Sequence, residues 1–113
     1  RLGPVPYFAG ARNMAVFQAA GEERPALYIT TYAGSRGVGA KLLRTVNGED
    51  FELLDFTGFA ASQYHNFRPL VPFKGKLYTA PTGKGDSNNV CGEAVVLETA
   101  DPLREPWRQV WHR

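Results

Sequence analysis

The two halves of this chain repeat one another, and an internal repeat limits the available folds more than any other sequence feature. Each half opens on an Arg followed by a short apolar run, Arg12-Asn-Met-Ala-Val-Phe17 and Arg68-Pro-Leu-Val-Pro-Phe73. Each continues through a Leu-Tyr segment, Ala26-Leu-Tyr-Ile-Thr-Thr-Tyr32 and Lys76-Leu-Tyr-Thr-Ala-Pro-Thr82, into a Gly-rich loop, 33–39 and 83–92. A third segment ending in Thr follows, Ala40-Lys-Leu-Leu-Arg-Thr45 and Glu93-Ala-Val-Val-Leu-Glu-Thr99. After a turn an aromatic opens the fourth, Phe51-Glu-Leu-Leu54 and Trp107-Arg-Gln-Val110. The pairs Phe17/Phe73, Tyr28/Tyr78, Thr45/Thr99 and Phe51/Trp107 are spaced 56, 50, 54 and 56 residues apart. The variation falls in connections, where changes of length cost little.

The repeated segments read as β-strands on their own terms. Twelve Gly and eight Pro punctuate the 113 residues too often for long helices. Ala26–Tyr32 is rich in β-branched and aromatic residues and lies between Pro25 and a Gly loop. Lys74-Gly-Lys76 is a short turn between apolar runs, as in a hairpin. Asn47-Gly48 is a two-residue hairpin signal, because both positions tolerate positive φ. Residues 9–20 contain helix formers, but Gly10 and Gly21 bracket them and the repeat assigns Met14–Phe17 to a strand. Thr45, Asn47, Thr99 and Asp101 read as turn caps that bond nearby backbone, with Phe51 and Trp107 packing between the repeats.

Four strands at a period of about 50 residues resemble two consecutive blades of a β-propeller of the kelch-like and Asp-box-like kind. Phe73-Lys-Gly-Lys-Leu-Tyr78 and Thr45-Val-Asn-Gly-Glu-Asp-Phe51 carry the likeness, with Thr99-Ala-Asp101 and Trp107 at matching places. The first turn is a residue short of a full Asp box and uses Asn47, and the double Gly of kelch repeats is absent. The resemblance implies an all-β fold of two four-stranded antiparallel blades, with an N-terminal extension at 1–11. Blade 1 spans 12–55, an inter-blade connection 56–67, and blade 2 with a short tail 68–113. Two blades leave uncovered surfaces. The implied partners are therefore further blades, from the same longer protein or from copies of this chain. The opening Arg1-Leu-Gly-Pro-Val-Pro lacks an initiator Met and a signal-peptide layout, which fits a processed product or a piece of something longer.

Charge and cysteine content exclude several function classes. Thirteen Lys and Arg against eleven Asp and Glu leave a scattered net charge of +2, so a nucleic-acid stripe is not expected. No apolar run approaches the roughly 18 residues of a membrane-spanning helix. Cys91 is the only cysteine, so neither an intramolecular disulfide nor a cysteine zinc site is expected, and a reducing, cytoplasmic setting is favoured. No cofactor is expected.

In the propeller arrangement the inter-blade connection and both loops between second and third strands share one rim. Here that rim is 55–67, 33–39 and 82–92, which holds Arg36, Gln63, Tyr64, His65, Asn66, Lys84, Asp86, Asn88 and Asn89. Arg12 and Arg68 precede equivalent first strands and suit a bidentate anion clamp, or structural clamping of a neighbouring blade. His65 is the only histidine outside the C-terminal tail. A catalytic arrangement would use His65 as base, Tyr64 as proton donor and Arg68 as anion stabiliser. Asp86-Ser-Asn-Asn89 has too few carboxylates for a calcium loop, and Gly34-Ser-Arg-Gly-Val-Gly39 lacks the Lys-Ser/Thr of a phosphate loop.

The expected ligand-binding set is Arg12, Arg36, Tyr64, His65, Asn66 and Arg68, taking a protein partner or a small anionic or sugar ligand. The expectation is a binding module without catalysis of its own. The alternatives are a hydrolase or lyase working in the central funnel and a lectin formed by two-blade chains. The lectin alternative is weakened by Arg44 and Glu98, since equivalent positions do not keep one sugar contact.

Overall fold

A computed structural model describes residues 8–33, 40–58, 61, 63–84 and 94–112. These form ten strands and no helix: β1 (Phe8–Phe17), β2 (Ala26–Ala33), β3 (Lys41–Thr45), β4 (Glu52–Asp55), β5 (Tyr64–Phe67), β6 (Val71–Phe73), β7 (Lys76–Thr79), β8 (Pro81–Lys84), β9 (Val95–Thr99) and β10 (Arg108–His112). All pairings are antiparallel. In the first sheet β1, β2, β3 and β4 form a meander; the second runs β6-β7-β9-β10 in space, with β8 leaving between β7 and β9 to join the first. The four repeated segments of each half are thus four adjacent strands. Neither sheet closes on itself among the described residues.

The turns show which local signals prevailed. Lys74 and Gly75 take φ of 48° and 79°, the paired positive values that a two-residue hairpin needs to match strand twist. Asn47-Gly48 does not make such a hairpin, because only Gly48 takes positive φ (80°). Instead the longer 46–51 turn is held by side-chain caps. Thr45 Oγ1 accepts from Gly48 N at 2.9 Å, and Asn47 Oδ1 accepts from Glu49 N at 2.8 Å and Asp50 N at 2.9 Å. The second repeat does likewise: Thr99 Oγ1 accepts from Asp101 N at 3.2 Å and Asp101 Oδ1 from Leu103 N at 3.0 Å. The anticipated caps are therefore present in both halves.

Three boundaries differ from the sequence reading. β1 begins at Phe8, inside the expected 1–11 extension. The expected 56–67 connection contains β5, and the expected 82–92 loop begins within β8. The cause is the length of β2. Its ladder with β3 covers Leu27–Thr30, so backbone groups nearer Ala33 need another partner on that edge. β5 supplies it through Tyr32 and Asn66, and β8 then pairs β5 from Tyr64–Lys84 to Phe67–Pro81. Pro81, which has no N–H to donate, stands first in β8.

Paired residues in an antiparallel ladder share a face, and successive residues alternate. In the first sheet Tyr28, Arg44 and Glu52 therefore share one face with Phe17, Ala26 and Leu42. The opposite face carries Met14, Val16, Leu27, Ile29, Leu43 and Leu53. In the second sheet Leu77, Thr79, Leu97 and Thr99 lie on one face, and Tyr78, Glu98 and Arg108 on the other. One core cluster joins Phe17, Ala26, Tyr28 and Leu42 to Leu77, Val95 and Leu97. The sheets thus mate through unlike faces, the tyrosine face of the first on the leucine face of the second. Ala20 N donates to Ala100 O at 2.9 Å and Trp107 N to Thr57 O at 2.9 Å, tying the two repeats together by backbone.

Candidate functional site

The polar centres of the two sheets are a charge-inverted pair. In the first, Arg44 crosses from Tyr28 on β2 to Glu52 on β4: its Nε donates to Tyr28 Oη at 3.3 Å and its Nη1 to Glu52 Oε1. Arg44 Nη2 also donates to Glu22 Oε1 at 2.7 Å. Glu22 in turn accepts from Arg104 of the second repeat at 2.7 Å, and Arg104 also holds buried Asp101 at 2.9 Å. In the second sheet the same three places are Tyr78, Glu98 and Arg108. Glu98 Oε1 accepts from Arg108 Nη2 at 2.5 Å and Lys76 Nζ at 3.1 Å. The Arg108 hydrogen bond, with those from Lys76 and Tyr78, lowers the Glu98 carboxyl from its ordinary 4.5 to about 2. The hydrogen bond to Glu98 in turn raises the Tyr78 phenol.

Beside Glu98 lies an open cleft of about 420 Å³, lined by Lys76, Glu98, Arg108, Trp107, Pro106 and Gly58 among others. Trp107 lines it, its ring 5.3 Å from that of Phe56, which stacks on Phe67 at 3.6 Å. Gly58 stands at φ +106°, and a Cβ there would fall 2.5 Å from the Trp107 carbonyl oxygen. Its lack of a side chain is what lets the connection pass so close to Trp107.

Glu98 makes the second sheet acid-sensitive. A carboxyl lowered in the folded chain contributes stability above its ordinary value and loses it as pH falls through the folded value. Thermal unfolding followed by circular dichroism is expected to show melting falling between about pH 5 and pH 2, with Glu98→Gln showing a smaller fall. An equal fall in both proteins would remove Glu98 as the source.

The residues anticipated from sequence are distributed as follows. Tyr64, His65 and Asn66 lie on β5, with Tyr64 and Asn66 buried and His65 half-buried. Strand alternation sets His65 on the face opposite Tyr64 and Asn66. Tyr64 meets Phe67 edge-on at 6.4 Å, has Lys84 Nζ at 5.9 Å from its ring, and lines a cavity of about 180 Å³ with Lys41, Asp55 and Phe56. Neither His65 nor Arg68 lines that cavity. Arg68 follows β5 and Arg12 lies on β1; both are exposed and each has an interaction of its own. Gln63 precedes β5, and Lys84 is the last residue of β8, paired with Tyr64. Arg36, Asp86, Asn88, Asn89 and Cys91 lie outside the described residues.

Sequence reasoning missed the two polar centres. Their signal was present as the exchange of Arg44/Glu52 for Glu98/Arg108 beside a constant Tyr28/Tyr78. No three His, Cys, Asp or Glu side chains among the described residues are grouped to hold a metal ion. No protein-family model, curated protein or solved structure matches the chain.

Proposed function

We propose that this chain is a β-propeller module of two consecutive kelch-like or Asp-box-like blades, completed by further blades, which binds an anionic ligand or protein partner at its loop rim without catalysis of its own. The carrying observation is the β2–β5–β8 pairing, which gathers the end of β2, the inter-repeat connection and the start of the second loop at one end of the sheets. Lys84 and His65 belong to that end, on opposite faces of the ladder, and Arg68 follows the other end of β5. A rigid ladder carrying basic side chains suits recognition of a carboxylate, sulfate or phosphate group. Stacking of unlike faces supports the blade reading, because each blade of a ring must present one face forward and the other back. The separation of Tyr64 from His65 across β5 weighs against a shared acid–base pair.

The test is a titration of the labelled chain with inorganic phosphate, followed by backbone amide NMR shifts. The expected result is saturable movement at one of the basic residues of the ladder, His65, Arg68 or Lys84, lost when that residue is changed to Ala, with a neutral methyl glycoside producing none. Absence of any saturable shift would overturn the anion reading. Hydrolysis of p-nitrophenyl acetate or phosphate that disappears in His65→Ala would overturn the absence of catalysis.

A further inference from the structure

The two faces that mate inside the chain each recur on its outside, there only partly covered: Ile29 and Glu98 are buried, but the apolar side chains around them are more open. Phe17 in the first sheet is 5% exposed, whereas its repeat equivalent Phe73 in the second is 56% exposed. Tyr28 and Leu42 are fully buried, but Tyr78 and Val96 are half-buried. The leucine faces show the converse. Leu77 and Leu97 are fully buried, while their equivalents Leu27 and Leu43 are half-buried and the neighbouring Val16 is 63% exposed. The second sheet therefore offers a partly open tyrosine face and the first a partly open leucine face, and the chain already contains a mated example of that combination.

The charges follow the same exchange. At the internal junction Glu22, in the turn after β1, receives Arg104 from the turn after β9 at 2.7 Å. The turn after β6 carries Lys74 where the first repeat has its acid, and Lys76, which holds Glu98, follows at the start of β7. The turn after β3 carries Glu49 and Asp50, and Asp50 is the repeat equivalent of Arg104, both lying five residues beyond the capping Thr. Stacked in the internal manner, a further copy would bring its acidic Glu49-Asp50 turn to the basic Lys74–Lys76 turn. The signs are reversed from the internal junction and again opposite.

We infer that the chain associates head to tail with a second copy of itself, the partly open Phe73–Tyr78–Val96 face of one copy seated on the partly open Leu27–Leu43–Val16 face of the next. This rests on the stacked-blade reading above and names the surface that completes it. Such a contact is heterologous: each copy uses a different face to give and to receive, so it extends until a ring closes. The association combines apolar burial with opposed turn charges, so it weakens as salt rises.

Sedimentation velocity on the whole chain and two surface variants tests this. The wild-type chain is expected to form concentration-dependent assemblies larger than a monomer. Phe73→Glu and Val16→Glu, at positions already exposed in the single chain, should each weaken self-association by at least about tenfold. Mixed, they should recover a 1:1 heterodimer and nothing larger, because each keeps the face the other has lost. A wild-type monomer at every concentration, or undiminished self-association in both variants, overturns the inference. So does self-association by one variant with no gain on mixing, the mark of a like-face contact. Amide exchange on the same samples separates the levels: a monomer with Leu42 and Leu97 protected refutes only the association. A monomer with both unprotected refutes the stacked sheets as well.

Discussion

Trp107→Ala is expected to lower the unfolding free energy by about 3–5 kcal/mol, a large share of the 5–15 kcal/mol typical of a domain. Trp107 is 2% exposed and sits where the two repeats join. Its ring packs on Phe56, its backbone N–H holds Thr57, and Phe56 carries the contact on to Phe67. Truncation empties a large volume under a rigid ladder that cannot collapse to fill it. Trp107→Phe is the informative control. Trp107 Nε1 has no hydrogen-bond acceptor among the described residues, so Phe sacrifices volume but no such bond, at about 1–2 kcal/mol. Phe51 occupies the equivalent place in the first repeat. Urea unfolding midpoints measure both. An alanine cost below about 1 kcal/mol would show that Trp107 does not join the repeats.

Arg44→Glu is expected to cost more than about 4 kcal/mol, because it replaces a buried cation by an anion facing Glu22 and Glu52. Arg44→Met should cost less, about 2–3 kcal/mol. Glu22 then keeps Arg104, and Glu52 is open enough to regain water, but buried Tyr28 loses the donor to its hydroxyl. The second repeat indicates the remedy, since it already holds an acid on its third strand and an arginine on its fourth. Combining Arg44→Glu with Glu52→Arg should restore about half of the loss, and the double-mutant cycle measures that coupling. Additive losses would show that the polar centre is not organised around this cross-strand pair.

The strands and both caps were legible because they depend on local chemistry and recur. Lys74-Gly75 formed its hairpin since the flanking strands leave only two residues between them. At Asn47-Gly48 the pair was available for the same turn, yet Thr45 and Asn47 bond backbone amides across a longer one and satisfy more donors. β5 was not legible, because its pairing depends on β2 outrunning β3, a comparison of lengths that no local window contains. The same applies to His65 and Tyr64. A catalytic arrangement would need them to converge, and strand alternation places these neighbours on opposite faces of β5. The polar centres lay in the differences between the repeats, at Arg44/Glu98 and Glu52/Arg108, where only cross-strand register reveals that the exchanged charges touch.

The central claim is that two like repeats stack through unlike faces, and methyl and aromatic NOEs measure it directly. The Leu77 and Leu97 methyls are expected to show NOEs to side chains of the Phe17–Tyr28–Leu42 face and none to Leu27 or Leu43. NOEs from Leu77 and Leu97 to Leu27, Ile29 or Leu43 would mean that like faces meet, and would contradict it.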